Sequence, residues 1–261
     1  TPCTIYLGRE HMLQFFMAPM VHWPEVMVTY EQSEKILFSA DAFGKFGTLD
    51  TDEDWACEAR RYYFNIVGKY GMPAQALLKK AAGLDIQKIC ALHGPILTEN
   101  LEYYIGKYQL WSTYTPEDEG IFIAYCSLHG NTEKAAKKLA EILEAKGAPK
   151  VAISDLSRDD MAECIEDAFR YDRLVLAAPT YDGGVMPVMA DFINHLKMKA
   201  YQKRKVAFIE NGSWAPMAAK LMKEQMSAMK DIEIVDEHVT IRSAFKQSDV
   251  AALEALAGKL L

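Results

Sequence analysis

The strongest constraint in this sequence is a strand, a short loop and a helix in immediate succession. Ile121 to Cys126 is a continuous apolar run, the pattern of a strand buried on both faces. Ser127-Leu128-His129-Gly130-Asn131-Thr132 follows at once. Asn131 to Lys146 then places Ala135, Ala136, Leu139, Ile142 and Leu143 at helical spacing, and Gly147 closes the helix. The alternation continues with strands over Val151–Ile153, Leu174–Ala178, Val206–Ile209 and Glu233–Ile241. Helices are predicted over Asp159–Arg170, Pro187–Lys199, Pro216–Met229 and Ser248–Leu261. Pro187 falls in a first helical turn, where a missing N–H costs least, and Ser248 serves as a cap. Glu233–Ile241 is longer and more polar, which suits a sheet edge. Five strands alternating with five helices predict an α/β fold with a doubly wound, five-stranded parallel sheet.

Ahead of this region, Tyr114-Thr115-Pro116-Glu117-Asp118-Glu119-Gly120 reads as a linker, because acids beside Pro and Gly interrupt the apolar pattern. It divides the chain into 1–116 and 117–261. The first part is less regular. Short strands are predicted over Thr4–Leu7, Leu13–Met17, Val26–Tyr30 and Lys35–Ser39, with another at Ile86–Leu92. Helices are predicted over Asp52–Tyr70, Pro73–Ala82 and Glu99–Ser112.

Composition narrows the function classes. Of 261 residues, 50% are hydrophobic and 25% charged, which excludes a disordered chain. A net charge of -7 argues against nucleic-acid binding. No apolar run approaches the roughly 18 residues of a membrane span. The stretch Met12–Val21 contains Gln14 and Pro19 and lacks a basic leader, so it is not read as a signal peptide; a soluble protein is expected. Cys3, Cys57, Cys90, Cys126 and Cys164 form no C-x-x-C pair, so neither a zinc framework nor a rubredoxin-type iron centre is expected. Five scattered thiols fit the reducing cytoplasm.

Ligands of open parallel sheets bind beyond the carboxyl ends of the strands. Ser127 to Thr132 offers hydroxyls, a glycine and a helix N-terminus, the makings of an anion site, although alone it also reads as a turn with a cap. With no G-x-x-x-x-G-K-[ST] in the chain, ATP or GTP hydrolysis is not expected. Pro179-Thr180-Tyr181-Asp182-Gly183-Gly184 and Asn211-Gly212-Ser213-Trp214 each set an aromatic at a strand end. The three loops together suit a flat heterocycle carrying one phosphate. In the first part, Met20-Val21-His22-Trp23-Pro24-Glu25, Phe38-Ser39-Ala40-Asp41-Ala42-Phe43-Gly44 and Leu92-His93-Gly94-Pro95 end apolar stretches with His22, Asp41 and His93. Imidazoles with a carboxylate suit iron, zinc or manganese, and a carboxylate can bridge two metals. A histidine before Trp-Pro also reads as a structural residue.

Residues 120–261 resemble a flavodoxin domain. The resemblance implies that Ser127, His129, Gly130, Asn131 and Thr132 hold the phosphate of FMN. Pro179, Thr180, Tyr181, Asp182, Gly183 and Gly184 would border the isoalloxazine, with Asn211, Gly212, Ser213 and Trp214 on its far side. An acidic protein around an uncharged phosphate loop disfavours a negative reduced flavin, which pushes toward one-electron steps at low potential. With the H-W-P and S-A-D-A-F-G motifs ahead of it, the whole chain is similar to the flavodiiron proteins. These join a metallo-β-lactamase-like domain to a flavodoxin domain and reduce O2 to water or NO to N2O. The resemblance implies that His22 ligates one iron, Asp41 bridges both and His93 ligates the other. It further implies a donor such as a rubredoxin or a flavin reductase. It also implies a homo-oligomer in which one subunit's flavin lies beside the other's metals.

The family's upstream H-x-E-x-D motif has no counterpart in this sequence. The chain resembles the family's later portion, beginning partway through the lactamase-like domain, as a fragment or with the missing strands and ligands supplied by another chain. No competent diiron centre is expected in this chain alone, and an uncovered sheet edge and apolar face should favour self-association. The alternatives are a flavodoxin-like electron carrier or partner-binding module with a purely structural first segment, and, less favoured, a hydrolase with a mononuclear metal site.

Overall fold

The computed structural model describes residues 3–8, 11–50 and 53–261; the expectations on Thr1, Pro2 and Asp52 lie outside the described residues. The chain divides into two compact units, the first ending at Thr115 and the second running Pro116–Leu261.

In the first unit, β1 (Cys3–Gly8), β2 (His11–Met17), β3 (Met27–Glu31) and β4 (Ile36–Ala40) form an antiparallel run, and β5 (Lys88–Ala91) joins β4 in parallel. Between β4 and β5 lie α1 (Trp55–Tyr62) and α2 (Gly71–Ala81), and α3 (Leu101–Ser112) follows β5. The helix expected to reach Tyr70 is shorter than that. After Tyr62 it widens into a π turn, Tyr63–Val67, and stops at Gly68, whose φ of 43° leaves the helical region.

Alternation decides which face of this sheet is covered. Val28, Tyr30, Leu37, Ser39 and Ile89 are buried. The opposite face carries Ile5, Met17, Met27 and Phe38, each about half exposed. Cross-strand register puts these four on one side, through the pairs Ile5–Leu13, Phe15–Thr29, Met17–Met27 and Thr29–Phe38. The expected apolar face is therefore present.

The turn from β3 to β4 is tied by Glu31. Its carboxylate accepts from the Glu34 N–H at 2.6 Å, the Ser33 N–H at 3.1 Å and, at 3.1 Å, the His11 imidazole. These donors, the Glu34 N–H foremost, hold its pKa down to about 2 from an ordinary 4.5. A carboxylate depressed by folding contributes stability that is complete above pH 4.5 and lost as pH falls toward 2. Glu31→Gln should therefore show a shallower fall in melting temperature across that window than the parent chain. Parallel curves would remove this assignment.

The second unit starts with β6 (Asp118–Tyr125), α4 (Asn131–Ala145), β7 (Val151–Asp155) and α5 (Met161–Arg170). It continues with β8 (Tyr171–Tyr181), β9 (Gly184–Val185), α6 (Pro187–Met198), β10 (Arg204–Asn211) and α7 (Ala218–Ser227). It closes with β11 (Ile232–Ile234), β12 (Val239–Ile241) and α8 (Val250–Leu260). The parallel sheet runs β7-β6-β8-β10-β11, with β12 also pairing β10. Taking the long strands in chain order, this is 2-1-3-4-5, and the order reverses at β6 and β8. Ile121, Ile123, Val175, Ala177, Ala207 and Ile209 are inaccessible and pack under Leu139, Leu143, Leu253 and Leu256 of α4 and α8.

Two local expectations are corrected. Asp118–Gly120, read as linker, is the start of β6: Asp118 takes an ion pair from Arg170 Nε at 2.7 Å, and the Gly120 N–H donates to Asp172 at 2.8 Å. The partners that draw these acids into the sheet lie 52 residues away, so local composition could not reveal them. The edge strand Glu233–Ile241 is broken into β11 and β12. After Ile234 the Val235 N–H still bonds the Val206 carbonyl, and pairing resumes only at Val239. Among the described residues, no helix is long and apolar enough to cross a membrane.

Candidate functional site

Beyond the carboxyl ends of β6, β8 and β10 lies a cleft of about 700 Å³. Its first wall is the β6–α4 loop, with Ser127, Leu128, His129, Asn131 and Thr132. Gly130, at φ 76°, is the residue before α4 and turns the chain into the helix without a side-chain cap. The leading N–H groups of α4 are thus left for an incoming acceptor. Ser127 Oγ is buried with no hydrogen-bond partner among the described residues. Such an atom is costly unless a ligand satisfies it, and a phosphate oxygen would do so.

The second wall holds Pro179, Thr180, Tyr181, Asp182 and Gly183. Asp182 (φ 48°) and Gly183 (φ 71°) form the two-residue turn of a small hairpin, in which Thr180 faces Val185 and Tyr181 faces Gly184. Asp-Gly is the preferred pair for two successive left-handed residues, so the hairpin fixes Tyr181 at the rim. Gly184 belongs to β9 and does not line the cleft. The Thr180 hydroxyl is already engaged, accepting from the Met217 N–H at 2.9 Å and the Ala218 N–H at 3.2 Å.

Asn211, Gly212, Ser213, Trp214 and Ala215 make the third wall. A Cβ on Gly212 would lie 2.8 Å from Pro216 Cα, so only glycine lets this loop fold back so closely. Trp214 is 90% exposed. Ser243 and Ala244 form a fourth wall that sequence reasoning missed. They are held by Asn211 Nδ2 donating to the Ser243 carbonyl at 3.0 Å, by a 2.8 Å contact between the Ser213 and Ser243 hydroxyls, and by the Phe245 N–H donating to Asn131 Oδ1 at 3.2 Å. The available signal was position: small residues two and three places after the last strand of a parallel sheet. Among the described residues, no lysine or arginine lines the cleft. Hydroxyls and N–H groups, with His129 at the edge, are its donors.

In the first unit, β4 and β5 run side by side in parallel, so Asp41 and His93 emerge from adjacent strand ends. His22 reaches them from the β2–β3 connection. Its Nε2 lies 3.5 Å from Asp41 Oδ2, and His93 Nε2 lies 3.6 Å from Asp41 Oδ1. Each carboxylate oxygen therefore faces a different imidazole. Tyr62 donates its hydroxyl to Asp41 Oδ1 at 3.3 Å. Burial first, and the Asp41 charge second, push the Tyr62 pKa up, so it stays a protonated donor. Asp41 is flanked by Ala40 at φ 53° and Phe43 at φ 66°, conformations that cost about 1–2 kcal/mol each for a residue with a Cβ. The Ser39 hydroxyl, donating to the Ala42 carbonyl at 2.7 Å, pins the turn. The two imidazoles thus sit on opposite oxygens of one carboxylate, and the three donor atoms do not all lie within 4.8 Å of one another as a single ion would require. Donors of this kind suit transition metals, with Asp41 between two of them. These three donors do not by themselves fill the coordination of two.

Residues 122–255 match the flavodoxin domain family, and residues 2–94 match the ODP family beta lactamase. The chain belongs to the flavodoxin domain family, and with the lactamase-like part ahead of it has the make-up of a flavodiiron protein. It is 29% identical over 245 residues to an uncharacterised protein of Methanocaldococcus jannaschii, covering 91% of this chain and 62% of that one. It is 27% identical over 239 residues to the anaerobic nitric oxide reductase flavorubredoxin of Aeromonas hydrophila, covering 87% and 48%. Its fold matches rubredoxin oxygen:oxidoreductase from Desulfovibrio gigas with a TM-score of 0.89 at 23% identity, covering 99% of this chain and 66% of that one. The flavodiiron protein of Giardia intestinalis matches with a TM-score of 0.89 at 20% identity, covering 99% and 65%. The chain thus spans about half to two thirds of the length of these relatives.

Proposed function

We propose that residues 117–261 bind FMN and that the chain is the electron-transfer portion of a flavodiiron NO or O2 reductase. The observation that carries this reading is the buried, partnerless Ser127 hydroxyl beside the uncapped start of α4, in a cleft walled by Tyr181 and Trp214. Ser127, Thr132 and the α4 N–H groups would take the phosphate, with Gly130 shaping the turn and His129 at its edge. Tyr181 and Trp214 would flank the ring system. Asn131, Thr180, Asn211 and Ser213 hold the loops in place through the bonds described above. Bound FMN supplies the exchange between two-electron donors and one-electron acceptors. With Asp182 in the lining and no lysine or arginine among the described residues there, the charge of a reduced ring would be left uncompensated.

Residues 1–116 would carry iron on His22, Asp41 and His93, with a two-iron set requiring donors beyond these three. The names of the relatives pair this architecture with NO, O2 and rubredoxin, which supports a rubredoxin-type protein or a flavin reductase as donor. The open apolar sheet face supports self-association, and the lack of a disulfide among the described cysteines supports a cytoplasmic setting.

The test is titration of flavin-free chain with FMN. A yellow one-to-one complex is expected, bound more tightly than riboflavin, which lacks the phosphate; absence of a complex refutes the reading. Trp214→Ala should weaken FMN by about fivefold, corresponding to the ~1 kcal/mol of an aromatic ring pair. The same titration followed by indole fluorescence should show quenching in the parent chain. An unchanged Kd in the variant would remove Trp214 from the ring site.

A further inference from the structure

The first unit contains a continuous run of phenol and indole rings that leads from the metal-ligand cluster to the surface. Tyr62 bonds Asp41; its chain neighbour Tyr63 lies with its ring centre 5.2 Å from that of Tyr108, and Phe43, two residues after Asp41, packs on Tyr108 with ring centres 4.4 Å apart. Ring centres then step from Tyr108 to Trp111 over 5.5 Å, from Trp111 to Trp55 over 5.9 Å in a stacked pair, and from Trp55 to Tyr104 over 4.6 Å and Tyr103 over 6.4 Å. Exposure rises along the same line. Tyr108 and Trp111 are 1% exposed, Trp55 9% and Tyr103 38%.

Packing alone does not account for these residue types. The Tyr63 hydroxyl, beside Tyr108 and Trp111, and Trp55 Nε1 are buried without a hydrogen-bond partner among the described residues. Phenylalanine or leucine would fill such space without stranding a polar atom. What phenol and indole add is a one-electron oxidation within chemical reach. Tunnelling falls steeply with distance, so rings in near contact pass an electron far faster than one long jump.

We propose that Tyr108, Trp111, Trp55 and Tyr103/Tyr104 form a relay that carries one-electron oxidising equivalents from the His22–Asp41–His93 cluster to the surface, which rests on the metal reading given above. A reactive oxygen species formed at the cluster takes one electron from Trp111 across the intervening Tyr108 ring and is reduced by one electron. Trp111 regains its electron from Trp55, and Trp55 from Tyr103, whose phenolic proton passes to water. A soluble thiol returns one electron and one proton to the Tyr103 phenoxyl, and two thiyl radicals couple to a disulfide. The oxidised group thus ends where a reductant can reach it, away from the histidines.

Laser photoionisation of tryptophan in the full, metal-free chain tests conduction. The indole-radical band should decay as the phenoxyl band rises, at a rate independent of protein concentration. Trp55→Phe should slow this by an order of magnitude or more, and the pair Tyr103→Phe with Tyr104→Phe should abolish it, with melting curves confirming that each variant folds. Unchanged kinetics in both variants would overturn the relay. Peptide mapping after ferrous iron and hydrogen peroxide tests the origin. Oxidation is expected on Trp55, Tyr103 and Tyr104, shifting to His22 and His93 in Trp111→Phe. Oxidation confined to the histidines in the parent chain would overturn it. Failure to take up iron would withdraw the cluster as the source together with the metal reading, and leave the flash kinetics to decide conduction by themselves.

Discussion

Ser127→Ala should weaken FMN binding by about 10- to 100-fold while leaving the flavin-free protein as stable as before, or slightly more so. The argument turns on one atom in two states. Without flavin, Ser127 Oγ is buried and has no partner among the described residues, so its hydroxyl has left water and gained nothing. Deleting it removes that cost, and the methyl side chain fills nearly the same space. With flavin bound, the same hydroxyl would donate to a charged phosphate oxygen, and hydrogen bonds to charged groups contribute about 1.5–3 kcal/mol. That range corresponds to roughly one to two powers of ten in Kd. A structural serine would behave in the opposite way, losing stability with no change in flavin affinity. Flavin titration and thermal unfolding of the same two proteins separate the cases, and an equal Kd for both would dismiss Ser127 as a phosphate ligand.

The β6–α4 loop was legible as a strand, turn and helix because its information is local. An apolar run, a hydroxyl and glycine loop and an amphipathic helix occupy consecutive residues, and each step follows from periodicity or turn chemistry. Asp182-Gly183 is equally local, since two left-handed residues select that pair. The fourth wall of the cleft was not legible. Ser243 joins the site only because Asn211, Ser213 and Asn131 draw its loop in, and contacts across 30 or 114 residues leave no periodic trace. Asp118 and Glu119 misled for the same reason: Arg170 and Arg173 convert an acidic stretch that would stay solvated in isolation into the start of a buried strand. In the first unit the sequence marks His22, Asp41 and His93 as plausible donors one at a time. Their convergence depends on β4 and β5 being neighbours in parallel, a pairing of residues more than 50 positions apart. Tyr62, which fixes Asp41, carries no sequence signal beyond a helical spacing shared with the core.

Asp41 is where the metal reading can be separated from the fold, and Asp41→Asn is the substitution that does so. Its two oxygens face two imidazoles, and one of them also accepts the Tyr62 hydroxyl. Asp41→Ala removes both functions. Metal affinity should fall by more than the roughly 100-fold that loss of a supporting hydrogen bond to a ligand costs. The stranded Tyr62 phenol, buried and kept protonated, should in addition lower stability by about 1–3 kcal/mol. Asp41→Asn keeps an acceptor for Tyr62 and nearly the same volume, but lacks the anionic charge that hard and borderline cations require. It should therefore unfold close to the parent temperature in the metal-free state while failing to retain iron or zinc on dialysis. Metal analysis beside thermal unfolding of the three proteins gives the answer directly. If Asp41→Asn holds the parent's metal content, the His22–Asp41–His93 cluster is a hydrogen-bonded structural group. If it loses both metal and stability, the carboxylate charge is part of what holds the turn from Ser39 to Gly44 in its left-handed conformations, and the strain at Ala40 and Phe43 is balanced by electrostatics with the two imidazoles.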